Sequence, residues 1–165
     1  MAMTMKTEGL TELSEILTRL EEKAEDVATG AVFDGAAVVA DAFTAAANSI
    51  KTEPFHYLAM PELAGKKRLP SPEEKAAVIG KSGIAKFHKN GSEVDTLIGI
   101  TGNSGYANIN GKQKAVRMSA RAINSGTSFM TRQPVFLKAK TQSEGKAKEA
   151  MVDKAETMLE NIING

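Results

Sequence analysis

The sequence predicts an α+β fold: a long N-terminal helix, a small and mostly antiparallel sheet with a central hairpin, and a C-terminal amphipathic helix. Three observations carry this. Leu10, Leu13, Leu17 and Leu20 recur at helical spacing near the start, with Ile16 beside them. Asn90-Gly91, a strong hairpin-turn signal, sits between two alternating apolar runs. Ala147, Ala150, Met151, Ala155, Met158, Leu159, Ile162 and Ile163 line one face of a closing helix.

The first stripe continues through Ala24, Val27, Ala28, Ala31 and Val32, then Val38, Val39, Ala42, Phe43 and Ala46 to Ile50. Such a helix would be about 60 Å long at about 1.5 Å per residue. Gly30 and Gly35 each cost about 1 kcal/mol in a helix interior. A kink, or a split into two helices, is therefore expected between Glu22 and Gly35. The Ala-rich run from Ala28 to Ala47 is interrupted by Asp34, Asp41 and Thr44, and reads as a buried soluble helix rather than a membrane span. Its small residues leave room for another backbone to approach.

Glu53-Pro54 ends this helix. A Pro-rich arm follows over about 53–72, with a helical turn expected near Pro72 to Ile79. Ile84 to His88 and Val94 to Ile100 form the hairpin strands. Lys114 to Ser125 suits either helix or strand, and helix is favoured because Val116, Ala120 and Ile123 share a face. Pro134 to Leu137 reads as a further strand.

At 165 residues the chain is expected to be one domain over 1–165. Net charge is +1, so there is no global attraction for nucleic acid. The sequence contains no cysteine, which removes disulfides, thiolate metal sites and a Cys nucleophile. Met1 to Lys6 has no apolar signal-peptide core.

The candidate chemical motifs are weak. Ile79-Gly80-Lys81-Ser82 lacks the glycine that a phosphate loop needs five positions earlier, where Lys75 stands. Gly102-Asn103-Ser104-Gly105 closes one residue too early for a nucleophile elbow. His56 and His88 are the only histidines, too few and too far apart for a metal cluster. The carboxylate pairs Glu21–Glu22 and Glu73–Glu74 read as solvated helix faces. Hence no catalytic residue, no cofactor and no metal is expected. Lys66-Lys67-Arg68 is the one concentrated basic cluster. It reads either as a solvated loop or as a contact for DNA phosphates or an acidic partner.

The most distinctive stretch is Ala120 to Ser128, ending in Asn124-Ser125-Gly126-Thr127-Ser128, followed by Gln133-Pro134-Val135-Phe136-Leu137-Lys138-Ala139. It resembles the "E-x-G-T-S … x-P-F-x-x-P-A" hallmark of a lambdoid gene-ten-like phage morphogenesis family. Gly9-Leu10-Thr11-Glu12-Leu13, Gly83 to Lys86 and Val94 to Gly99 resemble further parts of that family in the same order. Asn124 stands where the family has an acid, and the second Pro is missing. The resemblance implies a non-enzymatic virion protein at the tail or neck of a long-tailed phage, present in the host cytoplasm during assembly. It implies tail completion and head–tail joining, with a tail-terminator-like fold and a closed ring, a hexamer by family resemblance. Implied partners are other copies of itself, a tail terminator or tail tube protein, a head connector or stopper protein, and DNA in the lumen, with no membrane. The alternatives are a tail terminator, or a small phage-encoded nucleic-acid-binding accessory protein acting through Lys66 to Arg68. Interface residues expected on this basis are Phe55, Tyr57, Lys66, Lys67 and Arg68 on the arm, and Gly126, Thr127, Ser128, Arg132, Gln133 and Pro134 in the hallmark loop. Gly126 is expected at positive φ, with Thr127 and Ser128 bonding the local backbone.

Overall fold

Two long antiparallel helices set the architecture of the computed structural model, which describes residues 8–53, 67–90, 93–107 and 113–164. Helix α1 spans Glu8–Asn48 and helix α4 spans Val135–Asn164. Between them lie α2 (Pro72–Gly80), β1 (Ser82–Ile84), β2 (His88–Asn90), β3 (Glu93–Asp95), β4 (Ile98–Ile100), β5 (Asn103–Ala107), β6 (Gln113–Ala115) and α3 (Val116–Ser125). The fold is α+β, as expected.

Helix α1 is continuous over 41 residues, so the expected split does not occur. The glycines that suggested it are seats for α4. A Cβ at Gly35 would collide with Met151 Cγ, and would lie 2.8 Å from Met151 Sδ and 3.1 Å from the Ala147 carbonyl oxygen. A Cβ at Gly30 would lie 2.7 Å from Met158 Sδ. Lys154 pairs with Asp34 at 3.7 Å, and Phe43 stacks on Phe136 with ring centroids 5.5 Å apart. The close approach offsets the helix-interior cost of glycine, which is about 1 kcal/mol each. By length and composition alone α1 also qualifies as a membrane span. The part of it rich in small residues is the part packed on α4.

The two seats differ in what blocks them, and substitution should separate them. Gly30 meets the tip of a flexible methionine, which can swing aside. Gly30→Ala should be neutral or should stabilise by up to about 1 kcal/mol through helix propensity. Gly35 is also hemmed by backbone, and Gly35→Ala should destabilise by about 1–3 kcal/mol through overpacking. Urea unfolding of both variants checks this, and the reverse order would overturn the assignment.

Helix α4 begins well before the expected Ala147, and Pro134 to Leu137 is its entrance rather than a strand. Phe136, Ala139, Ser143 and Ala147 are its buried positions, a helical spacing that continues Phe136 into the core. The partner of α4 is α1. Ala150, Met151, Ala155, Met158 and Ile162 are half-buried there, while Leu159 is 38% exposed.

The central hairpin forms, in two pieces. β1 pairs antiparallel with β4 (Ser82 opposite Ile100, Ile84 opposite Ile98), and β2 with β3 (His88 opposite Asp95, Asn90 opposite Glu93). The register slips by one residue between the pieces. Ala85 N–H donates to the Leu97 carbonyl at 2.7 Å there, and the Thr96 hydroxyl to the Ala85 carbonyl at 2.9 Å. Such an irregularity bends a ribbon. The bend lets the hairpin lie along α1, where Phe87 meets Phe33 with centroids 6.2 Å apart and Lys89 pairs with Glu25. The turn residue Gly91 falls outside the described residues. β5 pairs with β6, so the described strands form three two-stranded ladders rather than one sheet.

The expected helices over Pro72 to Ile79 and Lys114 to Ser125 are α2 and α3. Val116, Ala120 and Ile123 do share the buried face of α3. With Ala47, Ile50, Val78, Met130 and Phe136 they make the core, which sits at the end of the α1–α4 pair where α1 stops and α4 starts.

Candidate functional site: a clasp of helix ends and an uncovered helix face

Four helix termini meet around the hallmark loop. Helix α3 ends at Ser125, and Gly126 turns the chain with φ 75° and ψ 167°. Its N–H donates to the Ala122 carbonyl at 2.8 Å. Thr127 Oγ1 accepts from Met130 N–H at 3.0 Å and Phe129 N–H at 3.3 Å, which folds the loop so that Met130 is fully buried. Both expectations for Gly126 and Thr127 are met. Ser128 and Arg132 are exposed.

The loop then ties down both ends of the Pro-rich arm. Arg68 N–H donates to the Phe129 carbonyl at 2.9 Å, and Thr131 N–H to the Arg68 carbonyl at 2.8 Å. Gln133 holds Lys51 with both ends of its amide: Oε1 accepts from Lys51 N–H at 2.9 Å and Nε2 donates to the Lys51 carbonyl at 3.0 Å. The arm's ends also hold each other. Glu53 N–H donates to the Pro70 carbonyl at 3.1 Å, and Leu69 N–H to Glu53 Oε1 at 2.9 Å. Expected interface residues Phe55, Tyr57 and Lys66 lie outside the described residues.

Arg68 corrects the reading of the basic cluster. Its guanidinium turns inward and grips Glu74 with two bonds, Nη1 to Oε2 at 2.7 Å and Nη2 to Oε1 at 2.8 Å. The side chains are only 15% and 8% exposed. Glu74 also accepts from Ser71 N–H at 3.0 Å while Ser71 Oγ accepts from Glu74 N–H at 3.2 Å, a capping box that starts α2. Glu74 is thus no solvated helix carboxylate. Lys67 is exposed beside it.

Two more side chains close helix ends. Lys75 Nζ donates to the Asn48 and Ile50 carbonyls at 2.7 and 3.0 Å, a cation at the C-terminus of α1. Asn124 Oδ1 accepts from Phe136 N–H at 3.2 Å and Leu137 N–H at 3.3 Å, satisfying the first amides of α4 from another helix. Neither role was visible in the sequence, because both link positions remote along the chain. The Ser71-Pro72-Glu73-Glu74 box was visible in principle, being a local S-x-x-E signature.

The clasp's polar groups are consumed by each other. Elsewhere the motifs weighed for chemistry stay apart. Gly80 and Lys81 close the C-terminus of α2, the wrong helix end for a phosphate. His88 is exposed on β2. Among the described residues, no three His, Asp or Glu side chains gather as a metal set. Glu144, on the surface of α4, is held below the usual carboxylate range by the hydrogen bond and charge of Lys148. This is an ordinary helical ion pair.

Bulky apolar side chains are also left uncovered among the described residues. Since Gly30 meets Met158 and the helices run antiparallel, the last described turn of α4 comes level with about Ala24 of α1. The first turns of α1 lie beyond it. There Leu13 and Leu17 are 51% and 57% exposed, on the face that meets α4 further along. Phe129 and Leu137 are exposed beside the clasp. An open groove of about 700 Å³ runs between α1 and α4 at the core end, lined by Ala42, Ala45 and Ala46 on one side and Lys138, Ala139 and Lys146 on the other.

No family model, no curated protein and no solved structure matches the chain.

Proposed function

We propose that the protein is a structural assembly component. In the specific form its sequence resembles, it is a head–tail junction protein of a long-tailed phage that closes into a ring, with a hexamer as the family's stoichiometry. One observation carries the assembly reading. The polar side chains of the clasp are spent on internal bonds, whereas bulky apolar side chains such as Leu13, Leu17 and Phe129 stand uncovered at the two ends of the described fold. Exposed apolar surface of this kind marks contact with other proteins. The phage assignment rests on the order of sequence motifs, from Gly9-Leu10 through the Gly126-Thr127-Ser128 turn to Pro134. Partners on this reading are its own copies, the tail terminator or tube protein, and the head connector or stopper. The inward pairing of Arg68 takes it out of the Lys66-Lys67-Arg68 cluster through which the nucleic-acid-binding alternative would act.

The test is removal of the gene from its phage or prophage. Full heads and finished tails should accumulate unjoined, and added purified protein should restore joined particles. Normal yields of joined particles without the gene would refute the assignment.

A further inference from the structure

We infer that the overhanging first turns of α1 dock into the α1–α4 groove of a second copy, joining copies head to tail. The inference deepens the assembly reading and rests on it. The occupant follows from charge and shape. Residues 12–26 carry six acids (Glu12, Glu15, Glu21, Glu22, Glu25, Asp26) against Arg19 and Lys23. Residues 115–148, which build α3 and the first half of α4, carry seven bases and only one acid, Glu144. The acidic end and the basic end lie at opposite ends of the α1–α4 pair.

This polarity decides between two modes of self-association. A two-fold contact of overhang on overhang would bring acid against acid, since residues 12–26 carry six acids against two bases. A head-to-tail contact sets the overhang against Lys138 and Lys146 on the groove rim. Asp41, the one acid on the groove lining, then faces a helix that has Arg19 and Lys23. Opposed charge across an interface fixes partner and register. The shapes agree with the charges. The overhang presents Leu13, Ile16, Leu17 and Leu20 as one helical stripe. The groove floor is Ala42, Ala45, Ala46 and Ala139, whose small side chains let a third helix approach. A contact between two different surfaces of one chain repeats, and closes into a ring where its rotation allows.

The cysteine-free sequence permits a clean test by thiol cross-linking of the full chain. Leu17→Cys marks the overhang and Ala42→Cys marks the groove, and a short bismaleimide bridges them. Leu17→Cys alone and Ala42→Cys alone should stay uncross-linked. An equimolar mixture should give dimers, and the double variant should give a ladder of higher species. Charge reversal at Lys138 and Lys146 to Glu should abolish the mixed product, and a partner bearing Glu12→Lys and Glu15→Lys should restore it. Melting temperatures of all variants establish that each is folded. Dimers from Leu17→Cys alone, or a double variant whose products stop at dimers, would overturn the proposal in favour of two-fold pairing, and no product from any mixture would overturn it outright. A cross-linked ladder from a protein whose loss leaves heads and tails joined would instead count against the neck assignment alone.

Discussion

Replacing Arg68 by Ala will destabilise the fold by about 3–5 kcal/mol, the cost of leaving a buried charge without its partner. The pair it breaks is bidentate and almost fully covered, with Glu74 8% exposed. After the substitution, Glu74 would keep its bond from Ser71 N–H but lose both guanidinium donors. Arg68 also donates to the Leu69 carbonyl at 3.0 Å, so its loss loosens the arm's second end as well. Equilibrium unfolding in urea measures the effect. Lys67→Ala, one residue away and exposed, should change stability by less than about 0.5 kcal/mol. The double variant Arg68→Met/Glu74→Leu should regain much of the loss, because a buried ion pair is often replaceable by apolar packing. The Arg68→Ala loss should persist at high salt, since a covered pair is poorly screened. Equal, small effects at Lys67 and Arg68 would mean the pair does not hold the clasp together.

Gly126→Val should be the second severe change. A φ of 75° with ψ of 167° lies in a region open essentially to glycine alone, and forcing a side chain there costs about 1–3 kcal/mol. The new Cβ would also meet Arg132, at 3.0 Å from its Cβ and 3.3 Å from its Cα and N. Those are backbone neighbours that cannot swing away, so the total should reach roughly 3 kcal/mol or more. Gly102 makes a useful contrast. It too has positive φ, at 85°, but a Cβ there meets only the Lys81 side chain, nearest at 3.5 Å, and Gly102→Ala should be milder. Thermal unfolding of the two variants, with Gly126→Val unchanged from wild type, would disprove the turn assignment.

Local signals were legible where one element's own residues decide its shape. The leucine spacing of α1, the shared face of Val116, Ala120 and Ile123, and the Gly126-Thr127 turn could each be read from a short window. The misreadings came where a remote partner decides. Gly30 and Gly35 look like helix breakers until Met158 and Met151 are set against them. Pro134 to Leu137 looks like a strand because a short apolar run after Pro has no period of its own. Its helical start becomes evident only when Asn124, from the end of α3, is seen to accept its first amides. The basic cluster misled for the same reason. Lys67 and Arg68 are identical in a charge count, and only the position of Glu74 sorts one to solvent and the other to the interior.

The α1–α4 pair also sets an order of events in time. Helix α1 is synthesised before α4, the helix that covers it, and all the intervening elements are made between them. Its contacts span most of the chain, and such long-range contacts form slowly. During that wait the contact face of α1 between Val27 and Ala47 is exposed. Apart from Val27 and Phe43, that face is built largely of Gly and Ala, which offer little apolar area for wrong partners to grip. Met151 and Met158, which fill the two glycine seats, sit on α4 and emerge late. Putting the seats on the early helix and the methionines on the late one keeps these two bulky side chains off the nascent chain until their seats already exist.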